Sequence, residues 1–163
     1  MTAVDPLLRV DHLDVVYKSR GRRRFQALTD VSLDIRPGET LGLVGESGSG
    51  KTTIGRAVLG LAPVSAGSIT FDDRDITHVS QSARRGLARD IQVVFQDPYT
   101  SLNPSMTVAD ILAEGMRSLG VGASEAERSR RIDALLEQVG LPVAAKSRYP
   151  HEFSGGQRQR VAI

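Results

Sequence analysis

The chain has 163 residues, 40% of them hydrophobic and 25% charged, with a net charge of +2 and no cysteine. That is long enough for one domain burying about 70% of its unfolded surface, and the composition argues against a disordered or fibrous chain. The missing cysteines exclude disulfides and thiolate metal sites and suit a reducing compartment, the small net charge gives no ground for a nucleic-acid partner, and no apolar run approaches the ~20 residues of a membrane span. Met1 to Pro6 lacks the basic and apolar regions of a signal peptide, so a soluble, cytoplasmic chain is expected.

In chain order, Leu7-Leu8-Arg9-Val10 and Leu13 to Tyr17 read as two short strands separated by Asp11-His12. Lys18 to Arg24 holds five basic residues. It reads as a solvated loop rather than an anionic-lipid contact, because no amphipathic helix accompanies it. Val31 to Ile35 alternates as a third strand, and Pro37-Gly38 signals a turn. A small, largely antiparallel β layer is therefore expected first.

Leu41-Gly42-Leu43-Val44 is a short apolar run of the kind that forms a buried parallel strand. It feeds Gly45-Glu46-Ser47-Gly48-Ser49-Gly50-Lys51-Thr52, which fits the phosphate-loop pattern G-x-x-x-x-G-K-[ST] at every fixed position. Ile54, Ala57, Val58 and Leu61 then recur as a helix face. Glycines let backbone N–H groups point inward, and a helix N-terminus adds partial positive charge. Lys51 would reach the β/γ-phosphates of a nucleotide and the Thr52 hydroxyl would ligate Mg²⁺. The competing reading, a Gly/Ser-rich turn with an incidental lysine, is disfavoured by the strand before the loop and the helix after it.

Pro63 to Gly67 reads as a loop, Ser68 to Phe71 as a strand, Asp72-Asp73 as a turn and Ser80 to Arg89 as a short exposed helix. Ile91 to Phe95 reads as a second strongly buried strand, ending at Gln96-Asp97-Pro98. From Tyr99 the character changes to an all-helical insertion, a candidate lever or docking surface. Thr107 and Asp110 form one capping pattern, followed by the face Val108, Ile111, Leu112 and Leu119. Ser124 and Glu127 form another, followed by Ile132, Leu135, Leu136 and Val139. Ser154-Gly155-Gly156-Gln157 then opens a last helix and offers a second start suited to phosphate, without a lysine. One nucleotide cannot easily use both starts within a monomer, whereas a head-to-tail dimer could share them. His12 and His78 fall in expected loops and His151 in the stretch before the second glycine loop, where solvated or locally bonded roles are expected.

The sequence resembles the nucleotide-binding subunits of ABC transporters over essentially its whole length. Phe153 to Arg160 looks like the ABC signature motif and Phe95-Gln96-Asp97-Pro98 like the Q-loop. Phe95 to Pro104 and Arg148 to Gln157 are similar to the dipeptide/oligopeptide importer ATPases. The resemblance implies an α/β P-loop ATPase core with an N-terminal antiparallel β layer and a helical insertion. The expected parts are a β layer and P-loop core over about 1–98, a helical subdomain over about 99–153, and the signature helix start at 154–163. It also implies ATP and Mg²⁺, with Tyr17 stacking the base, Gly45 to Thr53 (Gly45, Glu46, Ser47, Gly48, Ser49, Gly50, Lys51, Thr52 and Thr53) wrapping the phosphates, and Thr52 and Gln96 completing the metal shell. Ser154, Gly155, Gly156 and Gln157 would meet the γ-phosphate of a partner's ATP. The implied partners are a second ATPase subunit, two membrane permease subunits received near Tyr99, Leu102 and Met106, and an external solute-binding protein, placing the chain on the cytoplasmic face of the membrane.

The family continues beyond the signature helix with an acidic strand (Walker B), a catalytic Glu and a switch histidine. This chain closes on Val161-Ala162-Ile163 inside that helix, so the C-terminal part of the fold and the catalytic residues are expected to be missing. Hydrolysis would then be impaired by ~10²–10⁴-fold for the general base alone. A non-hydrolysing partner that lends its signature loop to an intact ATPase is the alternative expectation. A DNA-repair or translation ABC protein is disfavoured by the absent cysteines and small net charge.

Overall fold

The computed structural model describes residues 5–18, 24–97 and 101–163. The chain forms two compact units, Met1–Gly86 and Leu87–Ile163. The basic stretch at 19–23, Pro98, Tyr99 and Thr100 lie outside the described residues.

The first unit is a four-stranded antiparallel sheet in the order β2-β1-β3-β4 with one helix against it. The strands are β1 (Leu8–Lys18), β2 (Arg24–Ile35), β3 (Val64–Phe71) and β4 (Arg74–Asp75). Asp11-His12 does not separate two strands. Val10 and Leu13 are both buried, yet they lie three residues apart, a spacing that would put them on opposite faces of a regular strand. A bulge reconciles them: Val10 pairs with Leu33 and Leu13 with Val31, so β1 carries one residue more than β2. His12 takes φ 47° there. The same extra residue opposes Gly67 of β3, where an added Cβ would stand 2.3 Å from His12 O and 2.5 Å from Asp11 O. Only glycine fits, which is why β3 runs through the expected Pro63–Gly67 loop.

Two further bulges follow on β2. Between Leu13/Val31 and Val15/Leu28 the extra residue falls on β2, where Asp30 has φ 53°. Between Val15/Leu28 and Val16/Gln26 it is Ala27, and Gln26 Nε2 donates to Leu28 O at 2.6 Å across it. Val10, Leu13, Val15, Leu28, Ala57, Ile69 and Ile76 form the buried core of the unit.

Helix α1 (Lys51–Val58) buries Ala57 and half-buries Ile54 and Val58. Leu61 lies beyond it and is 64% exposed, so it is not part of the helix face. Leu41–Val44 and Ile91–Phe95 do not form the expected strands. Val44 is 97% exposed and Phe95 57%, and neither segment joins a ladder. An apolar strand is buried only when strands flank it, and no described residue pairs with either segment. Helix α2 (Gln81–Leu87) is short and without a buried residue, as expected.

The second unit is helical: α3 (Val108–Ser118), α4 (Glu125–Gln138), 3-10 turns at Val143–Ser147 and Pro150–Glu152, and α5 (Gly155–Val161). Both expected caps are present. The Thr107 Oγ1 accepts from Asp110 N at 3.2 Å, and Ser124 Oγ accepts from Glu127 N at 3.2 Å. Val108, Met116, Ile132, Leu136, Leu141, Phe153 and Val161 share one core with Leu102 and Ala145. Leu135, expected on the buried face of α4, is 42% exposed. Leu102, expected near a docking surface, is buried because it packs into this core.

Candidate functional site

The phosphate loop is built from backbone. Gly48 and Gly50 take φ 83° and 95°, a conformation that costs about 1–2 kcal/mol for residues with a side chain. Between Gly45 and Gly50 the chain folds back, and Ser49 N donates to Glu46 O at 3.2 Å. Gly50 is the N-cap of α1; no side chain caps the helix, and no acidic residue stands in its first turn. The free N–H groups and the positive end of the helix dipole are therefore left for an anion.

Lys51 Nζ donates to Gly45 O at 2.8 Å, Glu46 O at 2.6 Å and Ser49 Oγ at 3.1 Å. The ammonium is thus held over its own loop by neutral acceptors, for which anionic phosphate oxygens are stronger substitutes. Glu46, Ser47, Ser49 and Thr52 are exposed, while Lys51 and Thr53 are half-buried. This donor set, cationic and amide-rich, fits a polyphosphate, and the exposed Thr52 hydroxyl fits an accompanying Mg²⁺.

The loop rests on β2. A Cβ on Gly50 would lie 2.6 Å from Leu28 Cδ2 and 3.1 Å from Ala27 O. The other end of α1 is held by a residue that no sequence motif flagged. Arg84, on α2, donates from Nη1 to Val58 O at 2.7 Å and from Nη2 to Ile76 O. Gly60, at φ 71°, leaves room for that guanidinium, since a Cβ there would stand 2.4 Å from Arg84 Nε. Burial lowers the Arg84 pKa from its ordinary value. A cation among the last carbonyls of α1 also complements the negative end of the helix.

Tyr17 lies half-buried near the end of β1, paired across the strands with Phe25. His12 is not in a loop but in the β1 bulge, bonded locally: its Nδ1 meets Asp30 Oδ1 at 2.5 Å and its N donates to Ser32 Oγ at 2.9 Å. The hydrogen bond and charge of Asp30, helped by Asp11, raise the His12 pKa above 6.5. Among the described residues, no group of three or more His, Cys, Asp or Glu side chains is arranged to hold a metal ion.

The remaining expected site residues lie in the second unit. Gln96 is exposed after the irregular segment 91–95. Ser154 and Gln157 bond each other: Ser154 Oγ accepts from Gln157 N at 3.4 Å, and Gln157 Oε1 accepts from Ser154 N at 3.0 Å. This reciprocal cap is legible in the S-x-x-Q spacing, although the sequence reading identified only Ser154 as a cap. Gly156 faces open space. The entry to α5 is fixed by Arg148, whose guanidinium lies 4.4 Å over the Phe153 ring and whose carbonyl accepts from Val108 N at 3.0 Å. A separate groove of about 320 Å³ between α3 and α4 is lined by Asp110, Arg117, Glu125, Arg128 and Lys146. It mixes both charge signs and contains none of the expected nucleotide-binding residues.

Residues 28–163 match the family model described as ABC transporter. A Brucella ovis protein provisionally named a peptide import ATP-binding protein is 51% identical over 158 residues, covering 97% of this chain and 49% of that protein. The dipeptide transport ATP-binding protein DppF of Lactococcus lactis subsp. cremoris is 46% identical, covering 100% of this chain and 53% of its own length. The chain thus spans about half the length of the curated relatives it matches. Among solved structures, a dimeric bacterial ABC transporter cassette superposes with a TM-score of 0.82 at 30% identity, covering 96% of this chain and 67% of that one. The same cassette is also known in a post-hydrolysis state bound to ADP and Pi.

Proposed function

Since the chain belongs to the ABC transporter family, with the α/β ATPase fold of its cassettes, we propose that it is the ATP-binding part of an importer subunit that energises uptake of peptides or similar small solutes. The observation that carries this reading is the phosphate loop: an uncapped helix start at Gly50, with the Lys51 ammonium held at its rim by exchangeable neutral acceptors. The relatives named for peptide and dipeptide transport support the solute class.

In this reading the amides of Ser47 to Thr53 bind the phosphates, Lys51 moves from its loop carbonyls onto the β/γ-oxygens, and Tyr17 takes the base. The Thr52 hydroxyl would help hold Mg²⁺, which when bound would neutralise developing charge on the phosphates. Ser154, Gly155, Gly156 and Gln157 serve the nucleotide of a second cassette, an arrangement supported by the dimeric relative. Permease subunits, an external solute-binding protein and a place on the cytoplasmic face of the membrane complete the proposal. Among the described residues the loop's hydrogen bonds run to Lys51 and to backbone, with no carboxylate or imidazole among them. The 163-residue chain is proposed to bind MgATP and to hydrolyse it poorly, a positioned general base being worth ~10²–10⁴-fold.

Calorimetric titration with MgATP tests this directly. Lys51→Ala is expected to weaken binding about 10- to 100-fold through loss of charge-assisted bonds, without sustained turnover by either form. Equal ATP affinity in the two forms would sink the reading.

A further inference from the structure

An ammonium group has three protons to donate, and the phosphate loop supplies Lys51 with three acceptors of its own. They are Gly45 O at 2.8 Å, Glu46 O at 2.6 Å and Ser49 Oγ at 3.1 Å. A phosphate oxygen can take hold of the cation only by displacing one of them, and they are not equally movable. The two carbonyls are fixed parts of the loop backbone, and Glu46 O also accepts from Ser49 N at 3.2 Å. The Ser49 hydroxyl, by contrast, swings aside by rotation about a single side-chain bond. Its bond to Lys51 is the longest of the three, and Ser49 is exposed, so water takes over when it leaves. Whichever way the ammonium turns towards a phosphate, this is the first bond it gives up.

The loop makes room for the engaged hydroxyl. A Cβ on Gly45 would stand 2.9 Å from Ser49 Oγ and 3.6 Å from Ser49 Cβ. Gly45 does not have a left-handed φ, so what a side chain there would disturb is the seat of that hydroxyl.

We propose that the Ser49 side chain is a latch on the phosphate site: its hydroxyl holds Lys51 in place of a phosphate oxygen, and it must swing away when a polyphosphate binds. The assignment rests on the nucleotide-binding reading above and gives a role to a side chain at a position that the phosphate-loop pattern leaves open. The exchange runs towards the ligand because a phosphate oxygen is anionic and the hydroxyl neutral. What opposes it is one exposed hydrogen bond, small in net terms because both groups regain water. The latch therefore lowers affinity without blocking the site.

Calorimetric titrations with MgATP and with magnesium tripolyphosphate, under reducing conditions, compare the unsubstituted chain with Ser49→Ala and Ser49→Cys. Alanine removes the hydroxyl, and cysteine nearly keeps its volume but accepts hydrogen bonds poorly. Ser49 is exposed, so both variants leave the core intact. The expected result is about 2- to 10-fold tighter binding of both ligands in both variants. Weaker binding would make the hydroxyl a phosphate ligand, and unchanged binding would make its bond to Lys51 irrelevant. Either outcome, or tightening confined to one variant or one ligand, overturns the latch while the nucleotide reading stands. If the unsubstituted chain binds neither ligand, both fall together.

Discussion

Gly50 and Gly48 provide a paired test of how the phosphate loop is held. Both have positive φ, 95° and 83°, so alanine at either position incurs about 1–2 kcal/mol of backbone strain. They differ in what surrounds them. A Cβ at Gly48 meets nothing within 4 Å, whereas one at Gly50 would stand 2.6 Å from Leu28 Cδ2 and 3.1 Å from the Ala27 carbonyl. Leu28 is 4% exposed and opposes buried Val15, so it yields only by repacking the core, and Ala27 O is fixed by the bulge. Overpacking of this kind adds about 1–3 kcal/mol. Gly48→Ala is therefore expected to cost about 1–2 kcal/mol and Gly50→Ala about 2–5 kcal/mol. Urea titrations followed by circular dichroism measure both. Equal costs in the two variants, or a Gly50→Ala cost within about 0.5 kcal/mol of zero, would refute the packing of the loop on β2.

Two further predictions concern parts of the first unit away from the loop. Arg84→Met is expected to destabilise the protein by about 1.5–3 kcal/mol and to speed amide exchange at the C-terminal end of α1 before β1 or β3; uniform exchange across the unit would contradict the clamp. His12 has a folded pKa above 6.5, so its bond to Asp30 contributes fully below about pH 6.5 and is lost as pH rises through the folded value. An NMR titration should find the imidazole above 6.5 and returning towards it in Asp30→Asn; a midpoint at or below 6.5 in the unsubstituted protein removes the interaction.

The phosphate loop, the caps at Thr107, Ser124 and Ser154, and the helical insertion were legible because each depends on a few neighbouring residues. Local chemistry fixes a left-handed glycine or an S-x-x-Q cap wherever it occurs. Leu41–Val44 and Ile91–Phe95 were misread for the opposite reason: their apolar runs state a requirement for flanking strands, and a run of letters cannot say whether the flanks are supplied. Asp11-His12 read as a break because polar residues usually end strands. Only the pairing of Val10 and Leu13 with β2 reveals an inserted residue. Arg84 carries no local pattern at all. Its partner, Val58 O, lies 26 residues away in sequence.

The three extra residues near His12, Asp30 and Ala27 also govern how this sheet can change over generations. Each bulge resets the in–out alternation for everything beyond it. Losing His12 by a single-codon deletion would leave Val10 and Leu13 two apart and both inward in a regular β1, whereas the same deletion away from a bulge would turn everything beyond it outward together, a larger injury than substituting any one side chain. Point changes at exposed strand positions should therefore drift freely among relatives, whereas gaps inside Leu8–Lys18 or Arg24–Ile35 should be confined to the three bulges unless two compensate.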